Sequence, residues 1–124
     1  MKKSGVLHNE LAQLIASLGH GDLLVIEDAG LPVPPGVRCI DLAVTLGVPR
    51  FLEVLDAVTQ EMAIESAFRA AKAGDIGQQI DARVAATQVS HEEFKTRSAN
   101  ARAFVRTGEA TPCANVGLVA GVVF

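Results

Sequence analysis

Apolar positions along this chain recur first at helical and then at strand spacing. After Asn9, a favourable N-cap residue, Leu11, Leu14, Ile15 and Leu18 share one face of a helix over 10–18, which Gly19 stops. Leu23-Leu24-Val25-Ile26 is a short, branched run between Gly21 and the Gly30/Pro32 turn, and reads as a buried strand ending at Glu27. His20 then stands just before that strand and Asp28 just after it. The following loop carries Pro32, Pro34 and Pro35 and closes on Gly36, so it is stiff. Residues 38–42 form a second candidate strand. Pro49 suits the first turn of a helix whose apolar positions are Phe51, Leu52, Leu55 and Val58. Met62 to Ala71 is ambiguous: its residues favour helix, whereas Ile64, Ser66, Phe68 and Ala70 alternate as a strand would, and propensity alone selects helix. A short helix near 78–83 and a strand over 84–89 come next. Ser90 with Glu93 forms a capping box, and the helix it opens continues through Phe94, Ala101 and Phe104. The tail from Val116 to Phe124 reads as a buried strand whose glycines allow close approach of another backbone.

Helices alternating with short strands over 124 residues predict a single α/β layered domain spanning 1–124. Composition adds that 49% of residues are hydrophobic while only 4% are aromatic, so part of the apolar surface is expected to be buried between subunits. A net charge of -3, with no basic cluster interleaved with aromatics, argues against nucleic acid or an anionic membrane surface as partner. No apolar run approaches the roughly 20 residues that span a bilayer. Met1-Lys2-Lys3 is followed too soon by Asn9 and Glu10 for a secretory leader, so a cytoplasmic location is expected. Cys39 and Cys113 have neither disulfide-framework nor metal-site spacing and are read as reduced and partly buried.

Catalysis near neutral pH most often recruits a histidine. His8 precedes the first helix and is read as solvated. His20, between Gly19 and Gly21, is either a helix-terminal residue favoured by the dipole or a ligand group at a strand mouth. Likewise His91 is a first-turn surface residue or a binding group, and Asp28 a turn cap or a functional carboxylate. No HExxH, P-loop, GxGxxG or GxSxG motif occurs, which leaves a small acid/base site without a cofactor.

The chain resembles the D-ribose pyranase / L-fucose mutarotase family. The likeness rests on Met1 to Leu7, Leu18-Gly19-His20-Gly21-Asp22, Asp28-Ala29-Gly30-Leu31-Pro32-Val33-Pro34, Ile40 to Ala43, Gly47-Val48-Pro49 and Val58 to Met62. It continues in His91-Glu92-Glu93-Phe94-Lys95, Arg106-Thr107-Gly108-Glu109, Ala114-Asn115 and Ala120-Gly121-Val122, end to end and in order. Asp-Ala-Gly-Leu-Pro favours the ribose branch. The resemblance implies a three-layer α/β/α fold with a central mixed sheet, with Met62 to Ala71 as strand. It implies interconversion of pyranose and furanose forms of D-ribose without metal or cofactor. It also implies a ring-shaped homo-oligomer, an octamer or decamer, with sites between neighbouring subunits. By position His20 matches the proton donor, and Asp28, His91, Cys113, Ala114 and Asn115 match sugar-binding positions. Two departures stand out: Cys113 replaces the usual Tyr, removing a ring and a phenolic hydroxyl, and the chain is short between Ala71 and Val84, where a helix lies in the family. A mutarotase for L-fucose or another monosaccharide, and a non-catalytic sugar-binding oligomer, are the alternatives.

Overall fold

The computed structural model describes all 124 residues. Its elements are α1 (Asn9–Ser17), β1 (Leu23–Glu27), β2 (Arg38–Asp41), α2 (Phe51–Thr59), β3 (Ile64–Ala70), α3 (Gly74–Asp81), β4 (Ala86–Val89), α4 (His91–Ser98), β5 (Ala103–Arg106) and β6 (Val116–Ala120), with one 3-10 turn over Ala71–Ala73. The six strands form one sheet in the order β2-β5-β1-β6-β3-β4. β1 runs parallel to β5 and antiparallel to β6, so the sheet is mixed, as the family resemblance implied.

Burial explains why β1 reads as an unbroken apolar run. Leu24 and Ile26 point into a core built with α1, α2 and α3, including Leu11, Leu14, Phe51, Leu55 and Ile80. Val25 points the other way, into a smaller core with Phe68, Val89, Phe94 and Phe104, to which the proline-rich loop adds Leu31, Val33 and Val37. Three helices therefore cover one face and α4 with that loop the other. Each fully buried branched side chain contributes about 1.5–3 kcal/mol against exposure. In the smaller core the Phe68 and Phe94 rings meet edge to face at 5.2 Å, a geometry the aromatic quadrupole favours.

Several local expectations shift. The N-cap of α1 is His8, whose Nδ1 accepts the Leu11 N–H, and Asn9 is already helical. α2 begins at Phe51, with Pro49 outside it. Met62 to Ala71 contains β3, because pairing to β6 on one side and β4 on the other outweighs a weak helix propensity. The Ser90 hydroxyl accepts the Glu93 N–H, but the Glu93 carboxylate turns to Arg97 instead of closing the box. That helix stops at Ser98; Ala101 and Phe104 reach the same small core from a loop and from β5, which mimics helical spacing. Between Ala71 and Val84 a two-turn helix, α3, remains despite the shorter chain. Cys39 is exposed and not partly buried, while Cys113 is half-buried.

Gly117 on β6 lies under the Phe68 ring, and an added Cβ would overlap three ring atoms. The close approach there is by a side chain, whereas at Gly121 it is the Glu65 backbone, 3.2 Å from an ideal Cβ. Gly117→Ala should cost about 1–3 kcal/mol by forcing the ring out of its core. Thermal unfolding measures it; an unchanged midpoint would mean that the ring has room to move. Among helices, none is long and apolar enough to cross a membrane.

Candidate functional site

Ligands of open α/β sheets gather outside the carboxyl ends of parallel strands, and the largest cleft of this chain lies there. About 670 Å³ of space is lined by Asp28, Ala29, His91, Arg106, Glu109, residues 110–113 and Asn115, among other residues. β1 delivers Asp28, β5 delivers Arg106, β6 is preceded by Asn115, and α4 starts with His91. Such a volume is ordinary for a small-molecule site.

The floor is built from interlocked backbone bonds. Asp28 donates its N–H to Asn115 Oδ1 at 2.9 Å, and its Oδ1 accepts the Gly30 and Leu31 N–H groups, so the turn holds the carboxylate still. Ala29 is tied on both sides: its N–H reaches the Glu109 carbonyl at 2.9 Å, and its carbonyl accepts Arg106 Nε at 3.0 Å. Arg106 Nη1 pairs with Asp41. Glu109 accepts the Phe51 N–H at the start of α2, and the Thr111 N–H and hydroxyl. Burial alone would raise the Glu109 carboxyl, but the bonds from Thr111, Phe51 and Ala110 outweigh it and hold the group below its ordinary value. The loop carrying Cys113 is thereby braced against α2.

Of the expected site residues, Asp28, His91, Cys113 and Asn115 converge on this cleft. Asn115 is buried, His91 is exposed, and Cys113 has a left-handed backbone, φ 64°. Ala114 points its methyl into the main core. His20 is elsewhere. It precedes β1, where Nε2 lies 3.0 Å from Glu65 Oε1, whereas Asp28 follows β1. The five residues of β1 separate the two by roughly 16 Å at strand rise. Within one chain His20 and the cleft are at opposite ends of the sheet. Arg106, Glu109 and Thr111 were not expected as lining residues; the Arg106-Thr107-Gly108-Glu109 block, just before Cys113, was the signal for the first two. No group of three or more His, Cys, Asp or Glu gathers within reach of a common metal ion.

Beside the cleft, Glu27 closes β1 with its side chain entirely buried and neither carboxylate oxygen hydrogen-bonded. Desolvation first, then the negative charge of Asp28, push its carboxyl up to about 8, with Arg106 opposing and Asp41 adding to the rise.

Residues 1–123 match the family model of the RbsD / FucU transport protein family. The chain is 50% identical to a D-ribose pyranase of Bacillus cereus over 131 aligned positions, with both sequences covered completely. It is 52% identical to a D-ribose pyranase of Variovorax paradoxus over 132 positions, again with complete coverage. Among solved structures, Bacillus subtilis RbsD complexed with D-ribose superposes with a TM-score of 0.93 at 43% identity, covering all of both chains. The fucose mutarotase of Streptococcus pneumoniae in complex with L-fucose does so with a TM-score of 0.79 at 27% identity, also over all of both chains. A family match over nearly every residue, joined to relatives at half identity along their whole length, places this chain in the RbsD/FucU family.

Proposed function

We propose that this protein is a D-ribose pyranase, interconverting the pyranose and furanose forms of D-ribose by acid/base ring opening and closure. The observation that carries the reading is the cleft holding Asp28, His91 and Asn115 in a chain half identical, end to end, to D-ribose pyranases.

Opening requires a proton delivered to the ring oxygen while the anomeric hydroxyl gives one up and the C1–ring-oxygen bond breaks. The C4 hydroxyl then attacks C1 of the free aldehyde, giving up its proton as the carbonyl oxygen takes one and becomes the new anomeric hydroxyl. Both halves are proton transfers that a positioned imidazole accelerates. In this reading His20 is the general acid, the Asp28 carboxylate accepts sugar hydroxyls, and His91, Asn115 and the Cys113-Ala114 segment complete the grip. Because His20 sits at the far end of its own sheet, a neighbouring copy supplies it to each cleft. Exposed Leu7, Val44, Leu46, Val48, Val122, Val123 and Phe124 provide apolar surface for that contact, in a ring of eight or ten subunits in the cytoplasm. Sedimentation velocity reads the subunit number, and a monomer would remove the shared site.

Saturation-transfer NMR on D-ribose tests the activity: catalytic amounts of protein should speed exchange between pyranose and furanose signals. Ribose binding without faster exchange would mean a sugar-binding oligomer. Acceleration confined to L-fucose would favour the mutarotase reading, which the Streptococcus pneumoniae neighbour supports. Replacing the missing ring is a graded check: Cys113→Tyr should tighten ribose binding about three- to tenfold by stacking, read by calorimetry. Unchanged affinity would show that position 113 does not face the sugar.

A further inference from the structure

Glu27 is the one side chain with buried polar atoms that make no hydrogen bond. Its surroundings follow from the sheet register, in which Glu27, Arg106 and Asp41 are successive partners across β1, β5 and β2 and so face the same side. Every charged or titratable group around it is on that row or next to it: Asp28 on its own strand, Arg106 on β5, and Asp41 and Cys39 on β2. The loop covering this face, residues 29–37, carries no titratable side chain and adds Leu31, Val33 and Val37 to the apolar packing. Arg106 is the sole cation of the set. Its Nε holds the Ala29 carbonyl and its Nη1 holds Asp41, while Nη2 makes no bond inside the chain.

A partnerless carboxylate at zero exposure is costly, so the group keeps its proton under neutral conditions. Once the proton leaves, the nearest opposite charge is a guanidinium whose other bonds shape the cleft, in surroundings of low dielectric where attraction is strong. We infer that Glu27 is a positioning residue governed by its own proton: neutral, it leaves Arg106 on Ala29 and Asp41, and ionised, it draws Arg106 away and slackens the sugar cleft. The part that concerns sugar rests on the ribose reading above; the part that concerns Arg106 does not.

The direction follows from the geometry. Ala29 is the residue after Asp28, and its carbonyl is fixed only by Arg106 Nε. Moving that guanidinium frees one side of the turn that carries the Asp28 carboxylate. Ionisation also places a second negative charge directly behind Asp28. Both effects weaken a site that grips hydroxyls, so affinity falls as pH rises.

Two readouts on the full-length protein between pH 6 and 9.5 test this. By NMR, the Glu27 carboxyl carbon should titrate with a midpoint near 8, and the Arg106 Nε and Ala29 amide signals should move with the same midpoint. In Glu27→Gln, which cannot ionise, those signals should hold their low-pH positions. By calorimetry, D-ribose affinity should drop about fivefold or more over the same range, and Glu27→Gln should retain its neutral-pH affinity at pH 9. Titration of Glu27 that leaves Arg106 and Ala29 unmoved would overturn the inference. So would a loss of affinity that persists in Glu27→Gln, since it would belong to another group. Coupled movement of Glu27, Arg106 and Ala29 in a protein that binds no ribose at any pH would uphold the proton-controlled contact and reject the ribose reading.

Discussion

His20→Ala should slow pyranose–furanose exchange by about 10²–10⁴-fold, the ordinary worth of a positioned acid, while leaving the fold intact. On the proposed assignment of His20 as the acid, loss of the imidazole leaves the ring oxygen to take its proton from water at the moment the C1 bond breaks. The fold should not notice, because the His20 and Glu65 side chains are 59% and 52% exposed and an exposed pair contributes at most about 1 kcal/mol. Circular dichroism and the unfolding midpoint check the second half, and saturation-transfer NMR the first; exchange at the wild-type rate would take His20 out of the reaction. Subunit mixing locates the residue. If His20 of one copy serves His91 of the next, a mixture of His20→Ala and His91→Ala chains regains roughly a quarter of its sites. Were both residues to serve the same chain's site, mixing two inactive variants would restore nothing.

Glu27→Gln should stabilise the folded chain by about 3 kcal/mol at pH 7, at 1.36 kcal/mol per unit of displacement. The carboxyl ionises near its ordinary value, 4.5, when unfolded, and burial pushes it up to about 8 when folded. The folded state therefore holds more protons across that window. Its stability is full below 4.5 and is lost as pH rises through 8. Chemical denaturation of the wild type at pH 5, 6, 7 and 8 should show a falling free energy that Glu27→Gln flattens. Equal slopes in the two proteins would mean that Glu27 already finds a partner or solvent when charged.

Elements whose signal is local were legible. β1 announced itself because both of its faces are covered and its first four residues are apolar, Glu27 being the exception; α4 did so because Ser90 caps it by a bond only three residues long. β3 was not legible from propensity, since what makes Ile64–Ala70 extended is hydrogen bonding to β6 and β4, strands distant in sequence. β5 was absorbed into the preceding helix because a helix face and a strand face both present apolar residues to the same Phe68–Phe94 core.

Chemistry divides along the same line. Residue types and order alone determined a small acidic α/β domain, a His and an Asp bracketing one buried strand, and, through blocks running the whole length, the family. Only the tertiary structure decided that His20 and Asp28 lie at opposite ends of the sheet, that Asp28, His91, Cys113 and Asn115 share a cleft, and that Arg106 and Glu109 brace it. It alone showed Glu27 to be a buried, partnerless acid: in sequence it is one more polar residue closing a strand. The physical reason is range. Caps, turns and apolar periodicity act over three or four residues, whereas strand pairing and burial join residues far apart in the chain, such as Leu23 of β1 and Val119 of β6.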